Sequence, residues 1–85
     1  MGWNKIIINE KNLLLKGIPQ NSEFYFLHSY ACELHDKKNE LTQTFYGKNF
    51  TSSFCKKNIY GVQFHPEKSY IDGSKLINNF YEIGQ

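Results

Sequence analysis

The clearest periodicity in the chain runs over residues 23–32. There Phe24, Phe26, His28 and Tyr30 alternate with Tyr25, Leu27, Ser29 and Ala31. A period of two puts the two sets on opposite faces of a strand. Neither set is strongly polar, which predicts a central strand covered on both sides. Residues 5–8 (Lys-Ile-Ile-Ile) are β-branched and predict a short strand, while Leu13-Leu14-Leu15 is a brief apolar patch closed by the turn residues Gly17 and Pro19. The charged stretch 33–40 reads as a solvated turn. Residues 41–46 and 50–55 flank Gly47-Lys48-Asn49, a pattern that predicts a hairpin with a three-residue loop. Lys56-Lys57-Asn58 is the next turn, and 59–64 a further strand that Pro66 stops. The period then lengthens. Leu76, Phe80 and Ile83 stand at i, i+4 and i+7, so residues 74–83 predict a closing helix, with Asp72 or Ser69 to cap it and Gly84 to end it. The expected piece is β-rich, mostly antiparallel, with one C-terminal helix.

Composition narrows the function more than the fold. Eighty-five residues make one domain at most, and a chain this size buries only roughly 60–65% of its unfolded surface. With 40% hydrophobic and 21% charged residues it is no disordered segment. A net charge of +2, with only Lys37-Lys38 and Lys56-Lys57 as basic pairs, excludes a nucleic-acid footprint. For the same reason the aromatic stripe of Phe24, Phe26 and Tyr30 reads as sheet core and not as a base-stacking platform. No apolar run is long enough to span a bilayer and no signal-peptide pattern is visible, so a cytoplasmic location without a membrane partner is expected. Cys32 and Cys55 have neither disulfide-framework nor zinc spacing and read as buried small hydrophobes in a reducing compartment. No metal or cofactor is expected. His28 reads as a structural histidine on its strand, and His35 as solvated.

The chemistry concentrates in Gly61-Val62-Gln63-Phe64-His65-Pro66-Glu67-Lys68-Ser69. Proline disfavours the helical region for the residue before it, so His65 should be extended, and Pro66 is itself stiff. In an extended segment residues i and i+2 point the same way, which sets Glu67 beside His65. A carboxylate there selects the imidazole tautomer and stabilises the imidazolium formed when the ring takes a proton. That is the base and orienter of a Cys-His-Glu or Ser-His-Glu triad. A bare His-x-Glu is equally compatible with a metal pair or an ordinary polar strand end.

The longer motif favours the first reading. Gly-x-Gln-Phe-His-Pro-Glu, here 61–67, resembles the segment that carries the triad His and Glu in class I glutamine amidotransferases. Met1-Gly2-Trp3-Asn4 resembles the stretch that marks the glutaminase subunit of imidazole glycerol phosphate synthase within that family. Phe24-Tyr25-Phe26-Leu27-His28-Ser29-Tyr30 is similar to its aromatic strand ending in His-Ser-Tyr or His-Thr-Tyr, and 73–80 to its closing helix. The resemblance covers nearly the whole chain. It implies the family's α/β, flavodoxin-like fold, and the hydrolysis of glutamine to glutamate and ammonia. It implies delivery of that ammonia to the synthase (cyclase) subunit for histidine biosynthesis. His65 would be the general base and Glu67 its orienter. Ser29 and Tyr30 would bind glutamine, largely through backbone. Trp3, Asn4, Tyr25 and Lys68 would lie near the partner-docking face.

One departure qualifies all of this. The family's nucleophile is a Cys in a Gly-x-Cys-x-Gly elbow, and neither Ala31-Cys32-Glu33 nor Phe54-Cys55-Lys56 supplies the glycines such an elbow needs. The resemblance therefore implies the C-terminal part of an amidotransferase domain over residues 1–85, inactive alone and completed by an N-terminal half. Such a piece should self-associate through an apolar face formed by Phe24, Phe26, Phe64 and Ile59. Alternatives are the glutaminase of anthranilate or aminodeoxychorismate synthase, that of a sugar amidotransferase, or a non-catalytic β-rich binding module.

Overall fold

The computed structural model describes residues 2–27 and 37–84, so His28, Ser29, Tyr30, Cys32 and His35 lie outside the described residues. Every strand pair in it is antiparallel. The hairpin forms where the alternation placed it, from Glu40–Tyr46 (β4) and Lys48–Lys56 (β5). Its loop is tighter than three residues. Pairing continues through Phe45↔Asn49 and Tyr46↔Lys48, leaving Gly47 at the tip with φ of 75°, a conformation glycine adopts at little cost. Register shifts between Glu40 and Gln43 mark a bulge.

Ile59–Val62 (β6) adds to the other edge of β5, and Ile7–Ile8 (β2) to the other edge of β4, giving the order β2-β4-β5-β6. A second, two-stranded sheet pairs Gly2–Lys5 (β1) with Glu23–Phe26 (β3). The single strand expected over 5–8 is thus two strands serving different sheets. Ile6 is the crossing point. It is fully buried, and its backbone donates to Ser22 O (2.9 Å) and accepts from Asn21 N (3.2 Å) before the chain turns to β4. Three consecutive isoleucines carry no signal for such a change of partner.

β3 also differs from the expectation of a strand covered on both sides. Phe24 and Phe26 are fully buried, but Tyr25 on the opposite face is only half-buried. Among the described residues β1 is its sole strand neighbour, and its other edge meets the turn that follows β6: His65 N donates to Tyr25 O at 2.8 Å. β6 itself ends at Val62 and not at 64, because Gln63 and Phe64 bend inward. Gln63 N bonds Ser52 O (2.9 Å), and the Phe64 ring enters the core.

The helix, α1, spans Tyr70–Ile83 and begins four residues before the expected 74. A 3-10 turn at Leu13–Leu15, capped by Asn12 Oδ1 on Leu14 N (2.8 Å), packs against it. Asn79 Nδ2 reaches back to Leu14 O (2.9 Å) and Lys16 O (2.8 Å), satisfying carbonyls at the end of that turn. Leu76 is buried and Ile83 half-buried, as their spacing predicts. Phe80 is more than half exposed, its ring edge-on to Tyr60 at 5.9 Å. Gly84 caps the helix in a right-handed conformation, φ −77°.

One core unites the elements: Phe24 against Phe64 (4.4 Å between ring centres), Phe26 edge-on to Phe64 and Phe50, and around them Ile6, Leu14, Leu15, Ile18, Leu41 and Leu76. This overturns the apolar docking face expected from Phe24, Phe26 and Phe64, whose exposures are 0%, 0% and 4%; of that set Ile59 alone is exposed. The three rings point inward because α1 and the Leu13–Leu15 turn roof them. Cys55 is half-buried where full burial was expected, its thiol donating to Lys57 O (3.3 Å).

Candidate functional site

Two features of the sequence build the turn after β6. Pro66 opens a 3-10 turn, Pro66–Lys68, and His65 precedes it with φ −103° and ψ 96°, the extended conformation a residue before proline prefers. Glu67 therefore lies inside a tight turn and not on an extended strand. The tighter curl still brings the two side chains together: His65 Nδ1 and Glu67 Oε2 are 3.1 Å apart. The pairing read from the sequence holds, although its geometric reason was different.

Glu67 is held below its ordinary carboxyl range first by the hydrogen bond from His65. A bond from its own backbone amide and the nearby charges of His65 and Lys68 add to this, and partial desolvation opposes it. A carboxylate at Nδ1 favours the tautomer that donates from Nδ1, which leaves the Nε2 lone pair unused. The imidazole is thereby oriented to take a proton at Nε2 and to be stabilised once it has done so. Both side chains reach solvent, at 36% and 57% exposure, so the reacting partner can approach from outside the described residues.

Tyr25 and Trp3, on the paired strands β3 and β1, meet edge to face at 5.7 Å beside this turn, and Trp3 stacks on Tyr70 at 5.2 Å. Tyr70 is 79% exposed and takes a left-handed φ of 51°, unusual for a bulky residue. Lys68 is exposed at the end of the same 3-10 turn, next to Glu67 in the chain. Asn4, next to Trp3 in β1, projects from the opposite face by the pleat, and its Nδ2 lies 3.4 Å from Gly2 O. The structure thus gathers Trp3, Tyr25 and Lys68 near His65 and sets Asn4 apart. Ser29 and Tyr30 fall outside the described residues. Cys55 stands opposite Tyr60 at the start of β6, whereas His65 follows its end.

Sequence reasoning passed over two residues here. Ser69, read only as a possible helix cap, makes no cap bond; its hydroxyl faces β3 and His65 instead. Gly73, read as one position of a helix, is buried with Pro66 O so close that a Cβ would fall 2.0 Å from it. The signal available was the pair itself: a Ser and a Gly four apart directly after the His-Pro-Glu-Lys turn.

The family profile described as glutamine amidotransferase class-I matches residues 1–83. Among curated proteins, the chain is 54% identical over 80 residues to imidazole glycerol phosphate synthase subunit HisH 2 of Methanococcus maripaludis, covering 94% of this chain and 40% of that protein. It is 49% identical over 83 residues to subunit HisH of Leptospira borgpetersenii, and 51% identical over 83 residues to that of Buchnera aphidicola. Each alignment covers 98% of this chain and 41% of the relative. The chain spans about two fifths of the length of the curated relatives it matches.

Proposed function

The chain belongs to the class-I glutamine amidotransferase family, and we propose that it carries the base and orienter of a glutaminase site within an imidazole glycerol phosphate synthase. The reaction is the hydrolysis of glutamine to glutamate and ammonia. The carrying observation is the His65–Glu67 pair, with Nδ1 engaged by the carboxylate at 3.1 Å and Nε2 without a hydrogen-bond partner among the described residues. A cysteine thiol contributed from the rest of the domain gives its proton to Nε2. The thiolate attacks the glutamine amide carbon, and the imidazolium returns the proton to the departing ammonia. Water then cleaves the thioester, with His65 again the base. Ser29 and Tyr30 would hold glutamine. Trp3, Tyr25 and Lys68 form the side of the site that faces a cyclase subunit, to which the ammonia passes for histidine biosynthesis in the cytoplasm. Identity near 50% to three HisH subunits over nearly all of this chain supports the assignment.

The test joins this chain to the complementary N-terminal segment of the Methanococcus maripaludis relative and measures ammonia and glutamate from glutamine. The joined protein should turn over glutamine, and His65→Ala should lower the rate by about 10²–10⁴-fold, the usual worth of a general base. The 85 residues alone should be silent. Ammonia release by the unjoined chain that responds to His65→Ala would sink the proposal, since it would place the nucleophile within these residues.

A further inference from the structure

The edge of β3 that faces away from β1 is paired, but not by a strand. Tyr25 O accepts from His65 N at 2.8 Å, and Tyr25 N donates to the hydroxyl of Ser69 at 3.0 Å. That hydroxyl in turn donates to His65 O at 2.6 Å. Both backbone groups of His65 are therefore fixed, its N–H by Tyr25 and its carbonyl by the Ser69 hydroxyl together with the Lys68 backbone N–H at 3.1 Å. The Ser69 side chain occupies the place where a neighbouring strand would offer a carbonyl. Ser69 is 2% exposed, and its backbone N–H closes the 3-10 turn on Pro66 O at 3.0 Å. Gly73 makes the arrangement possible. A Cβ there would lie 2.0 Å from Pro66 O and 2.8 Å from Ser69 Cβ, so only glycine lets α1 sit this close beneath the turn.

We infer that Ser69 is a positioning residue for the base, its hydroxyl locking the His65–Glu67 turn to β3 in the room that Gly73 leaves. The inference rests on the reading of His65 as the general base, because positioning matters to function only if the imidazole acts. The Ser69 hydroxyl bonds backbone groups and not the imidazole ring. It acts through the His65 carbonyl and the Tyr25 amide, which set the backbone from which the ring projects. An imidazole displaced by an ångström loses both the carboxylate at Nδ1 and its line to a nucleophile.

The experiment is nuclear magnetic resonance on the labelled 85-residue chain and its Ser69→Ala variant. In the variant the Tyr25 amide loses its acceptor and should exchange with solvent roughly tenfold faster or more. The Glu67 carboxyl should titrate higher, toward the ordinary carboxylate range, as its bond from His65 loosens with Lys68 unchanged beside it. Amides within α1 should keep their protection. Ser69→Cys, similar in size and a weaker hydrogen-bonding partner, should give the same changes in smaller measure and serves if the alanine variant does not fold. A folded variant whose Tyr25 exchange and Glu67 titration match the parent, even with a lower melting temperature, overturns the inference and leaves Ser69 a general stabiliser. Collapse of both variants does the same. Neither readout involves glutamine, so failure of the glutaminase reading would show separately, as His65→Ala without effect on the joined protein.

Discussion

Replacing Gly73 with alanine sets two opposing effects against each other, and the structure decides between them. Alanine is favoured over glycine in a helix interior by about 1 kcal/mol, so at an open site the change would stabilise α1. Here the new Cβ would stand 2.0 Å from Pro66 O, 2.9 Å from Pro66 C and 2.8 Å from Ser69 Cβ. Ordinary contact begins near 3.4 Å, so helix and turn must part by about 3.4 − 2.0 = 1.4 Å. The obstruction is backbone, which cannot swing aside as a side-chain tip can. Overpacking of this kind costs about 1–3 kcal/mol, with a displacement this large at the upper end. The net loss is about 1–2 kcal/mol, and for a domain of this size that lowers the melting temperature by about 4–15 °C. Thermal unfolding followed by circular dichroism measures it, with Asn78→Ala, at an exposed position of the same helix, as the control that should not lose stability. A Gly73→Ala protein melting at or above the parent would refute the close approach and the account of the turn built on it.

The remaining predictions concern the acid range and the core. Glu67 titrates below its ordinary 4.5 when folded, so its contribution to the turn is complete above that value and disappears as pH falls through the lowered folded-state value. In His65→Ala the leading cause of the lowering is gone, and a carbon-detected titration should show the carboxyl moving up; an unchanged curve would deny the bond. Phe24→Ala removes a fully buried ring packed on Phe64 and should cost about 3–5 kcal/mol, a large part of a small domain's stability, read as a lowered midpoint in urea titration.

What the sequence disclosed follows from the range over which each signal acts. The β4–β5 hairpin and the helix were legible because alternation and the i, i+4, i+7 spacing are local. His65 and Glu67 were legible because two residues around a proline can be brought together in few ways, and the pair survived even though a 3-10 turn replaced the expected extension. The division of residues 2–8 into strands of two different sheets was not legible, since Ile6, Ile7 and Ile8 suit either partner equally. The burial of Phe24 and Phe26 as sheet core was legible in their alternation, but that α1 and the Leu13–Leu15 turn close over that face together with Phe64, leaving none of it for a partner, is a tertiary fact. Ser69 escaped notice because its partners, Tyr25 and His65, are contacts whose identity only the folded chain supplies. The tight tip at Gly47 differs from the expected loop for a simpler reason, as glycine's left-handed conformation allows pairing to continue into the turn.

The tie between Tyr25 and Ser69 also has a kinetic meaning, since it joins positions 44 residues apart. A hairpin such as β4–β5 closes over a few residues in about 1–10 μs, and each of its pairings rewards the chain at once. The Tyr25–Ser69 contact offers nothing until β3 has its partner and α1 is docked, so the closure entropy of a long loop comes before any gain. The locking of the His65–Glu67 turn onto β3 is accordingly expected late in folding. The same contact holds β3 by two hydrogen bonds where a strand would supply a ladder, so an opening confined to it breaks fewer bonds than one through the β4–β5 hairpin. Opening there would release the His65–Glu67 turn while the phenylalanine core stays whole, so loss of that turn and loss of the fold would be separate events on separate clocks.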